Sequence, residues 1–172
     1  MDHKNPTFEQ SINVTMHWCS SWEDGYLSDE VLSDRVEELI SSKIGARGFF
    51  AYTLSSDCTL MDRLPDSLIF KFIELGDLIV ELTVKNFAMS SAMEIEHKLN
   101  GNKDLEGSSK RISLRCIELL KVLDSSKVKY YLDMLIEAFE GKGMLSVFIK
   151  NQNYIDIHKK TIINNIYLIA NK

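Results

Sequence analysis

The sequence predicts an all-α fold, a single-domain helical bundle of about seven or eight helices around a long central helix, Leu78–Leu99. Three observations carry that expectation. Two prolines and eight glycines punctuate 172 residues, too few for a sandwich of many short strands and turns. Apolar residues recur three and four apart through most of the chain, the spacing that puts them on one helical face. The segments so marked are joined by short polar connections, as between antiparallel helical neighbours.

The first helix is expected from Pro6 to about Trp22. Asn5 is a good cap, Pro6 suits the first helical position, and Phe8, Ile12, Met16 and Cys19 form one stripe. Gly25 stops it. Ser28 caps a second helix with Asp29 and Glu30 at its positive end, and Gly45 closes the run of Val31, Leu32, Val36, Leu39 and Ile40. Gly48–Leu54 is apolar and short, so periodicity leaves strand, helix and loop open. A lone strand has no partner, which favours helix or extended loop. Pro65 starts a third helix to about Leu75, and Gly76-Asp77 breaks and recaps the chain. The fourth, Leu78–Leu99, spans about 33 Å at ~1.5 Å per residue. It carries two apolar faces, Leu82, Met89 and Met93 against Val80, Val84, Phe87 and Ile95, which suits a central position. Ala88, Ser91 and Ala92 leave room for a neighbour. Asn100-Gly101-Asn102 ends it, and a polar loop leads to a fifth helix from about Ser109 with Ile112, Cys116, Leu119 and Leu123 in register. Ser125 or Ser126 caps a sixth, broken at Gly141-Lys-Gly143. A short seventh covers Met144 to Lys150, and an eighth runs from Tyr154 to about Ala170.

Composition narrows the function. Hydrophobic residues at 45% and charged residues at 26% are near the globular average, so the chain has a core to bury. A domain of 172 residues buries roughly 70% of the surface of its unfolded chain and needs no disulfide or metal. A net charge of −5 gives no general attraction for phosphate backbones, so no nucleic acid is expected as partner. No uncharged apolar run approaches the ~18 residues of a membrane span. Three scattered cysteines and no secretory leader lead to a cytoplasmic assignment with free thiols.

Candidate chemistry is sparse, and neither a catalytic residue nor a cofactor is predicted. Glu94-Ile-Glu-His97 has di-iron spacing, but that fold needs two copies and further carboxylates, so no metal is expected. His17 and Cys19, two apart, point to different sides of a helix. There is no phosphate-cradling glycine loop and no nucleophile elbow. Fifteen lysines stand against five arginines. In so Lys-heavy a chain a retained arginine is a candidate for planar, two-pronged recognition. Arg35, Arg47, Arg63, Arg111 and Arg115, with Trp18 and Trp22, are therefore the candidate partner- or anion-binding residues, since Trp and Arg are enriched at binding hot spots. The bland reading is burial of the tryptophans and ion-pairing of Arg111 and Arg115 with Glu94 or Glu96. A second candidate is a ligand pocket lined by Asn86, Met89, Met93 and His97, polar groups on an apolar stripe.

Several blocks carry a resemblance. Trp18-Cys-Ser-Ser-Trp22, Ser28-Asp-Glu-Val-Leu32, Ser33-Asp-Arg-Val36, Gly45-Ala-Arg-Gly-Phe-Phe50 and Leu82-Thr-Val-Lys-Asn-Phe-Ala-Met-Ser-Ser-Ala-Met93 occur in that order. Together they resemble a family of small, soluble, uncharacterised helical proteins of oxygenic photosynthetic bacteria. The resemblance implies a cytoplasmic role linked to photosynthetic machinery and carries over no site residue. The expectation is a non-catalytic helical interaction or assembly factor with a protein partner. The alternative is a helical pocket for an apolar cofactor or small ligand, and a metal-dependent enzyme using Glu94 and His97 ranks below both.

Overall fold

A computed structural model describes residues 6–170 and is all-helical, as the sequence predicts. In chain order the helices are α1 (Phe8–Glu23), α2 (Asp29–Ile40), α3 (Lys43–Ser55), α4 (Asp66–Leu75), α5 (Asp77–Leu99), α6 (Lys103–Val122), α7 (Ser125–Ala138), α8 (Ser146–Gln152) and α9 (Asp156–Ala170), with a 3-10 turn at Thr59–Asp62. The described residues cluster into two compact units, which divide between Ile79 and Val80. The boundary falls in the first turn of α5.

The first unit is built on α3, which packs against α1 and α2, while α2 also packs against α4. The segment left open between strand, loop and helix, Gly48–Leu54, lies inside α3. Phe49 and Phe50 of α3, with ring centroids 5.3 Å apart, meet Phe72 of α4 at 6.0 and 5.9 Å. Leu32, Leu39, Ile40, Leu60 and Leu68 complete a core closed to solvent. Ser33 and Ser67 hydroxyls share a 2.8 Å hydrogen bond between α2 and α4, so polar groups at that crossing are satisfied.

In the second unit α5 runs as one helix from Asp77 to Leu99. Ser91 does what its size predicts. Its hydroxyl lies 3.0 Å from that of Ser113 on α6 and accepts from Asn165 Nδ2 on α9 at 3.1 Å. Further along, His158 Nε2 on α9 meets Glu96 Oε2 at 3.0 Å, and Lys85 lies over the Phe148 ring of α8. Three helices of this unit thus touch α5, and α6 packs in turn on α7 and α9.

Several boundaries differ from expectation. The cap of α1 is Thr7, not Asn5, which lies outside the described residues. Thr7 Oγ1 accepts from Gln10 N at 3.2 Å while Gln10 Oε1 accepts from Thr7 N at 2.9 Å, a reciprocal capping box. Gly45 does not end the second helix. That helix stops at Ser41, and Ser42 Oγ caps α3 by accepting from Gly45 N at 3.0 Å. Gly45 is there because a Cβ would sit 1.9 Å from Leu39 O. The polar stretch before Ser109 is not a loop. Asn102 Oδ1 accepts from Leu105 N at 3.1 Å and starts α6 at Lys103. Asp124, rather than Ser125 or Ser126, caps α7, its Oδ1 accepting from Lys127 N at 2.9 Å. The breaks at Gly76, Gly101, Gly141 and Gly143 fall as expected, all at positive φ.

Candidate interaction site

Two of the predicted residues, far apart in sequence, meet on the first unit. Trp22 closes the last turn of α1 and Arg63 follows the 3-10 turn. The Arg63 guanidinium carbon lies 4.6 Å from the Trp22 ring centroid, a cation–π stack. The pair is held from three sides. Trp22 Nε1 donates to Asp29 Oδ1 in the first turn of α2 at 2.7 Å. Arg63 Nε donates to Thr59 Oγ1 at 3.0 Å. Thr59 donates both its backbone N–H and its hydroxyl to Glu23 Oε1, each at 2.8 Å. The Thr59 backbone donor, followed by its hydroxyl, holds the Glu23 carboxyl below its ordinary pKa, so the clamp is anionic at neutral pH. Trp22, Glu23, Leu27, Asp29, Arg63 and Pro65 are among the walls of an open cleft of about 570 Å³.

The remaining candidates are placed as follows. Trp18, one helical turn before Trp22, is 4% exposed and belongs to the core. Tyr26, just beyond the end of α1, is exposed. Arg47 lies 5.6 Å from the centroid of the half-exposed Phe8 ring, a second guanidinium–aromatic pair on this unit. Arg35 is exposed on α2. Arg111 is half-buried and Arg115 buried on α6, and neither is free. Of the carboxylates expected to meet them, Glu96 faces His158. Burial raises the Glu94 carboxyl pKa, with Lys110 opposing.

The proposed pocket residues differ in exposure along α5. Met89 and Met93 are 41% and 43% exposed, and Asn86 turns its amide back to Leu82 O at 2.9 Å. His97 is half-buried near the end of α5. The buried arc of that helix runs instead through Val80, Val84, Phe87, Ala88 and Ser91. Among the described residues no three His, Cys, Asp or Glu side chains converge where a metal would sit, and no helix is long and apolar enough to cross a membrane.

The second unit has an apolar groove that sequence reasoning did not anticipate. Leu120 of α6, Val128, Leu132 and Ile136 of α7, and Ile166 and Ile169 of α9 line about 550 Å³, with Lys129 and Asp133 paired at 2.5 Å on the rim. Each residue lies on an apolar stripe readable in sequence, but the gap between three stripes is a property of their packing. Before the start of α9, the Tyr154 hydroxyl is buried with no hydrogen-bond partner, and burial raises its pKa.

With a guanidinium–indole cleft on its first unit, the chain falls in the class of all-helical proteins. It belongs to the family described as Uncharacterised conserved protein UCP020893, whose model matches residues 7–169, nearly the whole chain. No curated protein and no solved structure matches it.

Proposed function

We propose that the chain is a non-catalytic helical interaction or assembly factor that docks a protein partner through the Trp22–Arg63 cleft. The observation that carries this reading is the Trp22 indole, held half-buried at the edge of an open cleft by Asp29 and Arg63. A preorganised Trp/Arg pair loses little side-chain entropy on binding, which is what makes such residues hot spots. Arg47 over Phe8 extends the same chemistry along α1 and α3. The sequence resemblance to proteins of photosynthetic bacteria supports a cytoplasmic setting and a role near photosynthetic machinery.

Retention of a partner by the tagged chain tests this. Trp22→Ala and Arg63→Ala are each expected to weaken it by roughly 30-fold or more, about 2 kcal/mol. Arg47→Ala is expected to have a smaller effect, and Tyr130→Ala on the other unit none. Helical circular dichroism is expected to stay unchanged. Equal retention by all four variants would sink the reading.

A second reading is favoured by the apolar groove of the second unit, which has the size and lining of a small-molecule site. It would take an elongated apolar molecule. A fluorescent long-chain fatty-acid analogue is expected to bind, and Leu132→Trp, which fills the groove, to lower its affinity about tenfold or more. Identical binding by the filled variant would remove this reading.

A further inference from the structure

Cys19 and Cys58 are thirty-nine positions apart in sequence, yet the first unit brings them together. Cys19 is on α1, 1% exposed, and Cys58 ends the connection from α3 to the 3-10 turn, 6% exposed. Neither is in a disulfide, and the Cys19 thiol is within hydrogen-bonding reach of Cys58. The backbone around them enforces the approach. Glu23 lies one turn beyond Cys19 on the same face of α1, and both of its bonds from Thr59, the residue after Cys58, fasten that connection to the helix. Tyr52 lies close to both thiols, and its own pKa is raised by burial and by them. The third cysteine, Cys116, is buried alone on α6 of the other unit.

We infer that Cys19 and Cys58 form a modification site, a dithiol that closes to an intramolecular disulfide by exchange with a low-molecular-weight disulfide. Cys58, the more exposed and the one on a connection, reacts first. Its thiolate attacks one sulfur of the small disulfide, the S–S bond breaks, and one small thiolate leaves and takes up a proton. The Cys19 thiolate then attacks the Cys58 sulfur and expels the second small thiol. The protein loses two protons and two electrons, and one small disulfide takes them up to become two small thiols.

The surroundings set the rate. The Cys58 hydrogen bond and burial both push the Cys19 thiol pKa up, so the thiolate is scarce at neutral pH and closure waits on opening of the 56–59 connection. The Glu23–Thr59 clamp holds that connection shut. Closure is therefore slow, faster at higher pH, and faster when the clamp is loosened. Once formed, the bond ties the end of α1 to the segment that carries Thr59 and Arg63, so oxidation stiffens the walls of the cleft whether or not a partner docks there.

The full chain, folded and without denaturant, is incubated with oxidised glutathione, quenched in acid, then unfolded, alkylated, and mapped by non-reducing mass spectrometry. The expected result is a loss of about 2 Da, a Cys19–Cys58 linked peptide, and alkylated Cys116. The linked form is expected to melt about 5–10 °C higher than the reduced form. Cys116→Ala keeps the linkage, and Glu23→Gln accelerates it several-fold. Glutathione adducts that never resolve, linkage only in denaturant, or links between two molecules would each overturn the inference. Cys58→Ala separates the two claims made on this unit. It abolishes the linkage, and if partner retention through Trp22 survives, the docking reading stands apart from the redox one.

Discussion

Phe49→Ala is expected to lower the unfolding free energy of the first unit by about 3–5 kcal/mol, as for aromatic-to-alanine changes in closed cores. Phe49 has no exposed surface, and its ring meets Phe50 at 76° and Phe72 at 69°. The change removes both edge-to-face contacts and leaves a cavity walled by α3 and α4. These helices cannot simply collapse into it, because α2, packed against both, is tied to α4 through Ser33 and Ser67. Domains of this kind hold only about 5–15 kcal/mol in all, so the loss is a large share of the total. Phe70→Ala supplies the contrast. Phe70 is on α4 two residues before Phe72 but is 65% exposed, and its removal is expected to change stability by no more than about 0.5 kcal/mol. Urea unfolding of both variants, followed by helical circular dichroism, checks the pair. Comparable losses for the two would mean that the aromatic trio is not the keystone of this unit.

Element identity was legible in the sequence wherever local chemistry alone decides it. Pro65 and Gly76-Asp77 bound α4 and start α5 within one residue of expectation, because a fixed φ and a positive φ act on the backbone directly. Gly45 misled for the same reason that those helped. A glycine is read as a stop, but Gly45 is placed by the backbone of Leu39 and lies inside a helix whose cap, Ser42, precedes it. Gly107 sits in open space within α6, where the Asn102 cap had already committed the chain. The outcome at Ser91 shows what size alone reveals. A small residue announces a close neighbour, and it has two, Ser113 and Asn165, but their identity lay beyond reach.

The candidate site was legible as residue types and not as geometry. Composition singled out Trp22 and Arg63 separately. Nothing in their forty-one-residue separation says that the guanidinium covers the indole, since the approach is made by the Glu23–Thr59 clamp. Trp18, ranked beside Trp22, lies four residues earlier and is core. The difference lies in how α1 ends. Its stripe is buried at Trp18 and only half-buried at Trp22, where the indole reaches Asp29 at the start of α2. Met89 and Met93 teach the converse. A helix apolar on two faces suggested enclosure, yet that face is the more exposed one. Methionine tolerates both settings.

Gly48→Ala is the sharpest test of how the first unit is assembled, because local propensity and tertiary packing predict opposite signs. In an exposed helix interior, alanine in place of glycine gains up to about 1 kcal/mol. Here the added Cβ would lie 2.3 Å from Ser11 Cβ, 3.1 Å from Phe8 O and 3.3 Å from Ile12 N. None of these atoms is the mobile end of a side chain, so α1 must shift away from α3. Ser11 cannot turn aside, since it is fully buried and its hydroxyl donates to Thr7 O at 2.8 Å. Overpacking of this kind costs about 1–3 kcal/mol, more than the helical gain. Gly48→Ala is thus expected to destabilise the unit by about 1–2 kcal/mol net. Ser11→Gly in the same chain removes the shortest contact, and the double variant is expected to recover most of that loss, a coupling that only touching residues show. If Gly48→Ala is as stable as the parent, or the two changes simply add, α1 and α3 do not cross at these residues.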